Sequence, residues 1–159
     1  MQPYGERSVL KAIALCIVIC GTLDIADALI FFKVHNHVPP VRLLQNIASG
    51  LLGKSAFQGG TPTALLGLAM HYTIATFWVV LFVLLAQRIP AMFRHPCIAG
   101  AVYGLVVYGV MNYIAVPLSR IGSRPTPTGI VLINAVGALV LFIGLAIGLI
   151  NDHYAPIPH

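Results

Sequence analysis

The chain has 159 residues, of which 58% are hydrophobic and only 8% charged, against ~25% charged in an average soluble domain. Its net charge of +5 reflects scarce acids, since nine Lys and Arg oppose only Glu6, Asp24, Asp27 and Asp152. This balance excludes a water-soluble globular domain, and the basic residues between apolar runs read as head-group anchors rather than as a nucleic-acid face.

Four apolar runs are each long enough to cross ~30 Å of hydrocarbon as a helix. The expected fold class is an all-α membrane protein. Four transmembrane helices form a left-handed or mixed bundle, with a short interfacial or re-entrant helix between the first two, and the whole chain is one integral membrane domain.

After a short polar arm, Met1–Ser8, the first span is expected over 9–32. It is too long for the apolar core of a signal peptide, although Ala26-Asp27-Ala28 imitates a cleavage site. Cys16, Cys20, Asp24 and Asp27 fall within about 80° of one helical face, which predicts an interior seam. With Cys97 the cysteines are an odd number and lack zinc spacing, so they read as small buried hydrophobes and imply no disulfide framework.

Pro39-Pro40 then opens a helix over about 40–53, which at ~1.5 Å per residue is too short to span. Thr61-Pro62-Thr63 supplies a capping hydroxyl and a first-turn proline for the second span, 62–87. There Gly67, His71, Ile74 and Trp78 share one face, which turns the imidazole into the bundle. Gln87-Arg88-Ile89-Pro90 ends this helix at a basic interface.

Arg94-His95-Pro96 leads into the third span, 97–117, in which Gly100, Gly104, Tyr108 and Asn112 recur every four residues. Thr126-Pro127-Thr128 opens the fourth, 128–150, where Asn134, Gly137, Leu141, Gly144 and Gly148 form a 3-4-3-4 seam. Gly100, Gly104, Gly137, Gly144 and Gly148 are the expected helix-packing positions, because small residues let backbones approach closely in lipid. The repeated Thr-Pro-Thr also suggests two parallel helical hairpins.

An ionised group at mid-bilayer costs roughly 2.5–3.5 kcal/mol on insertion scales, so Asp24 and Asp27 must face other helices, a partner or a wet cavity. Counting ~1.5 Å per residue from the face where both hairpins turn, Asp24, Asp27, His71, Asn112 and Asn134 fall in one half of the bilayer. These five are the candidate intramembrane binding cluster.

Two functions compete for it. In the first, the cluster binds or translocates a proton, a cation or a small polar solute. In the second, the protein is a non-catalytic scaffold or accessory subunit and the polar groups only fix helix packing. Two carboxylates and one imidazole lack a paired ligand motif, so no metal is assigned. Haem ligation wants a second buried histidine, yet His35, His37 and His95 lie near span ends. No serine sits beside a base, no phosphate-cradling glycine loop is present, and neither enzyme activity nor a cofactor is expected. The expected partners are the bilayer and either further copies of the chain or a larger membrane complex.

The helix containing His71, then Gln87-Arg88-Ile89-Pro90, Gly100-x2-Tyr103-Gly104, and Asn112-Tyr113 ahead of Pro117 resembles YagU-like bacterial inner-membrane proteins. The resemblance covers about half the chain, Gly67 to Pro117. The Leu-Asp-Ile of the first span resembles the wider group of small four-helix bacterial proteins. It implies a multi-pass protein of the bacterial inner membrane and carries no activity to named residues. Arg88 and Arg94 in the compact second connection place the termini in the cytoplasm by the positive-inside rule.

Overall fold

The computed structural model describes residues 6–89 and 91–154. The first residues of the polar arm, Pro90 and the tail after Tyr154 lie outside them. Most of the described residues are helical, with no strand among them. The elements are α1 (Glu6–Asn36), α2 (Pro40–Leu52), a 3-10 segment (Gly53–Gln58), α3 (Gly60–Arg88), a short α4 (Ala91–Arg94), α5 (Pro96–Leu118) and α6 (Gly129–Tyr154). Four of these, α1, α3, α5 and α6, are long and apolar enough to cross a membrane. Their outward faces carry exposed Leu10, Ile30, Leu65, Ile98, Val102 and Ile133, an apolar coat that suits lipid and not water. The chain is a multi-pass membrane protein.

α1 continues past the expected end at Phe32 because no helix breaker precedes Pro39-Pro40. Lys33 and His35 in its last turn complement the carbonyl end of the helix. The chain reverses at His37, whose φ of 55° is left-handed, and Val38 N–H bonds the Phe32 carbonyl at 3.0 Å. α2 ends at Gly53, with φ 65°, a conformation that glycine adopts without strain.

The two Thr-Pro-Thr segments are not equivalent. α3 begins at Gly60, with Gly59 and not Thr61 at the capping position, and the Thr63 hydroxyl donates to Ala56 O at 2.7 Å. Pro62 thus lies in the first turn of α3, whereas Pro127 lies before α6, which starts at Gly129. The two segments therefore open their helices in different ways, Thr128 standing at the capping position of α6.

α5 and α6 each lose α-helical register midway. α5 winds as π-helix over Met111–Ala115, directly ahead of Pro117, whose ring removes an N–H and crowds the carbonyl four residues earlier. α6 winds as π-helix over Leu139–Leu145, where its backbone lies against Gly100 and Gly104 of α5.

In the bundle α1 lies between α3 and α6, α5 lies along α6, and α2 docks on α3. A Cβ at Gly67 would fall on the Leu44 carbonyl of α2. Gln45 Nε2 donates to Gly60 O at 3.0 Å, so α2 is held by backbone contact and a buried amide. Arg120 N–H donates to Gly50 O at 3.0 Å and Arg124 Nη2 to Asn46 Oδ1 at 2.7 Å. These bonds bring α2 and the α5–α6 connection together at one end of the bundle.

At the other end the bundle is solid. Cys16, Cys20, Val79, Phe82, Val107 and Ile147 are almost fully buried. Tyr103 joins α5 to α3, its hydroxyl donating to Trp78 O at 2.6 Å and its ring meeting Phe82 edge-on at 4.9 Å.

The glycine seam is shorter than the 3-4-3-4 spacing implies. A Cβ at Gly100 or Gly144 would fall on the other's carbonyl, one at Gly104 on Leu139 O, and one at Gly148 on Pro96 O. Gly137 has nothing within 4 Å of its Cβ direction, and Leu141 is exposed. The wide turns of Leu139–Leu145 rotate the helix between Gly137 and Gly144, so a face continuous in an ideal α-helix is broken here.

Candidate functional site

The candidate site is built on the close approach of α1 and α3 at Gly21. Tyr72 packs its ring where a Gly21 Cβ would stand, 2.9 Å from Cε1, and its hydroxyl meets Thr22 Oγ1 at 2.8 Å. The adjacent His71 therefore reaches the α1 backbone, with Nε2 2.8 Å from Gly21 O. A carbonyl only accepts, so Nε2 carries the hydrogen.

That bond fixes the tautomer. Neutral His71 then presents an unprotonated Nδ1, and Nδ1 lies 3.9 Å from Asp24 Oδ2. Both side chains are largely removed from the surface, at 12% exposed for His71 and 22% for Asp24. Asp24 is one turn beyond Gly21 on α1, so the backbone that anchors the imidazole also delivers the carboxylate. From Asp24 to the end of α1 at Asn36 is about 18 Å at ~1.5 Å per residue, near the middle of the hydrocarbon.

The pair faces a cavity of about 150 Å³, lined also by Trp78, Val107, Leu139 and Ile143. The lining is aliphatic and aromatic apart from Asp24, His71 and the indole of Trp78. Trp78 is 7% exposed and its N–H has no partner among the described residues. An acid and a base on the wall of an otherwise apolar space is the usual composition of a small-ligand site.

Asp27 belongs to a second pair. Asn134 Nδ2 of α6 donates to Asp27 Oδ2 at 2.8 Å, joining α1 to α6 one turn beyond Asp24. Asn112 stands apart from both pairs, with Nδ2 bonded to Tyr108 O of its own helix at 3.0 Å. Its neighbour Met111, and not Asn112, lines the Asp24–His71 cavity. Asn112 lines a separate hollow of about 420 Å³ with Phe32, Arg124 and Thr126. The five sequence candidates thus resolve into a pair at the cavity, a pair between helices, and a self-bonded amide.

Sequence reasoning missed Gly21, Ile47, Met111 and Leu139. Gly21 carried a signal, a glycine one turn before an intramembrane aspartate. The other three are apolar residues, Met111 and Leu139 in apolar runs and Ile47 in the mixed sequence of α2, and carried none. No three of His, Cys, Asp and Glu among the described residues converge as a metal centre.

The chain matches no protein-family model, no curated protein and no solved structure.

Proposed function

We propose that the chain is a transport-linked protein of the bacterial inner membrane, termini in the cytoplasm, that binds a proton at Asp24–His71. It uses that site to move the proton or a small polar solute or cation. The observation that carries this reading is the His71 ring itself, with Nε2 committed to Gly21 O and Nδ1 facing Asp24 Oδ2 on the cavity wall.

With Nε2–H fixed, the pair holds one exchangeable proton, on Nδ1 or on Oδ2, which at 3.9 Å stand in ion-pair range and not in a direct hydrogen bond. Occupied, the pair is neutral overall, and empty it carries a single negative charge. Such a change matters greatly in a low-dielectric interior, which is why intramembrane ionisable residues read as parts of ion or proton pathways. A cavity of about 150 Å³ also admits a few waters or one small solute, since a water needs only ~10–15 Å³ by a comparable measure.

The Asp27–Asn134 bond supports a structural role for that pair, because a carboxylate joined to an amide on the next helix is the kind of polar contact that fixes packing in lipid. The YagU-like resemblance of Gly67 to Pro117 supports the bacterial inner-membrane setting. A chain with so small a bundle forms a complete pathway most readily as a homo-oligomer or in a larger complex.

The test is proton uptake into proteoliposomes under an imposed gradient. Uptake by the native chain that is lost in Asp24→Asn and in His71→Ala supports the proposal. No uptake by the native chain, or uptake unchanged in both variants, rejects it in favour of a scaffold.

A further inference from the structure

We propose that in this conformation of the bundle Asp24–His71 exchanges its proton with one membrane face only, the face formed by α2 and the α5–α6 connection, through two cavities in series whose neck is Ile47, Ile74 and Met111, and that the other face is reached in a second arrangement of the helices. The inference rests on the proton-binding reading above and names its access route.

A second cavity of about 260 Å³ lies between α2, α3 and α5, lined by Asn46, Gly50, Met70, Ser119 and Arg124. Ile47, Ile74 and Met111 line this cavity and the inner one alike. The two spaces therefore meet at those three side chains. Asn46, Arg124 and Ser119 place the outer cavity at the end of the bundle where both hairpins turn. A hydronium ion entering there passes polar groups, then a short apolar neck, then Asp24. At Asp24–His71 it leaves its proton on the pair and departs as water.

Toward the opposite face the route is closed. Trp78 lines the inner cavity, Tyr103 is bonded to the Trp78 carbonyl, and Val79, Phe82, Cys16, Cys20 and Ile147 fill the space beyond.

The helix windings mark the same level independently. The π-segment of α5 begins at Met111 and that of α6 at Leu139, and both residues line the inner cavity. Segments of π-helix inside α-helices are rare and concentrate at functional sites. Methionine, unbranched and flexible, is also suited to a neck that opens and reseals.

The cysteines provide the test. Cys16 and Cys20 are buried, while Cys97 is exposed near the start of α5, at the end opposite the outer cavity. In sealed vesicles of each orientation, a charged membrane-impermeant maleimide is expected to label native Cys97 from one face. Ser119→Cys and Met111→Cys, each in a Cys97→Ser background, are expected to label from the other face only.

Proton exchange is then followed by the infrared carboxyl band of Asp24, identified by its absence in Asp24→Asn, after transfer to deuterated water. Adducts at position 119 or 111 are expected to slow its deuteration by an order of magnitude or more, and the adduct on Cys97 to leave it unchanged. If the Asp24 band is present but its exchange ignores both adducts, or Met111→Cys labels from the Cys97 face, the route is wrong and the proton site stands. If no band depends on Asp24, the proton-binding reading itself fails.

Discussion

His71 of α3 and Gly21 of α1 are joined by a 2.8 Å bond from an imidazole nitrogen to a backbone carbonyl, and this bond decides which nitrogen of the ring faces Asp24. Gly21 makes it possible by leaving room for Tyr72 beside it. The site depends on two helices meeting at a glycine as much as on its ionisable residues.

Asp24→Asn keeps the shape and removes the exchangeable charge. Its thermal stability in detergent is expected to stay within about 1 kcal/mol of the native chain, the size of one hydrogen bond. His71→Ala removes the side-chain donor that Gly21 O has in addition to its helical N–H and is expected to cost about 0.6–1.7 kcal/mol, from the average to the largest value for hydrogen bonds between membrane helices. Equal, large losses in both would make the pair a structural element.

The glycines of α6 are expected to separate sharply. Gly144→Leu drives a side chain into the Gly100 carbonyl and parts α5 from α6, whereas Gly137 opens on free space. We predict that Gly144→Leu prevents recovery of folded protein or lowers its midpoint severely. Gly137→Leu should stay within about 0.5 kcal/mol of native, as a surface substitution does. Comparable thermal midpoints for the two variants would contradict the seam.

Asn134→Leu removes the only partner Asp27 has among the described hydrogen bonds. A loss of about 0.6–1.7 kcal/mol is expected in thermal unfolding. The Asp27→Leu, Asn134→Leu double variant should recover part of that loss, because a half-buried carboxylate is no longer left without a donor. Strict additivity in this cycle would show that the two residues do not interact.

Gly67→Ala should loosen α2, since its methyl group would fall on the Leu44 carbonyl. Trypsin cleavage after Arg42 or Lys54 is expected to quicken while α3 keeps its place in the bundle. An unchanged cleavage rate would mean that α2 is held mainly by Gln45 and by the Arg120 and Arg124 bonds.

The four spans were legible because a bilayer demands about twenty apolar residues per helix, and the seam of Cys16, Cys20, Asp24 and Asp27 followed from helical periodicity. Two features escaped the same reasoning for one physical reason. Periodicity assumes an unbroken α-helix, and it foresees neither the π-turn at Met111 nor that at Leu139, which parts Gly137 from the seam. Pro117 hinted at the first; nothing in Leu139–Leu145 announced the second. Counting depth placed the polar residues at one level, but it had no means of assigning Asn134 to Asp27 or His71 to Asp24. Those pairings depend on which helices are neighbours around the bundle.

The most direct measurement is the nitrogen NMR spectrum of His71 in reconstituted protein carrying 15N-labelled histidine, followed across pH. The account predicts an Nε2 that stays protonated throughout and an Nδ1 that gains and loses a proton in a step altered by Asp24→Asn. A neutral His71 protonated on Nδ1, or a titration indifferent to Asp24→Asn, would contradict it.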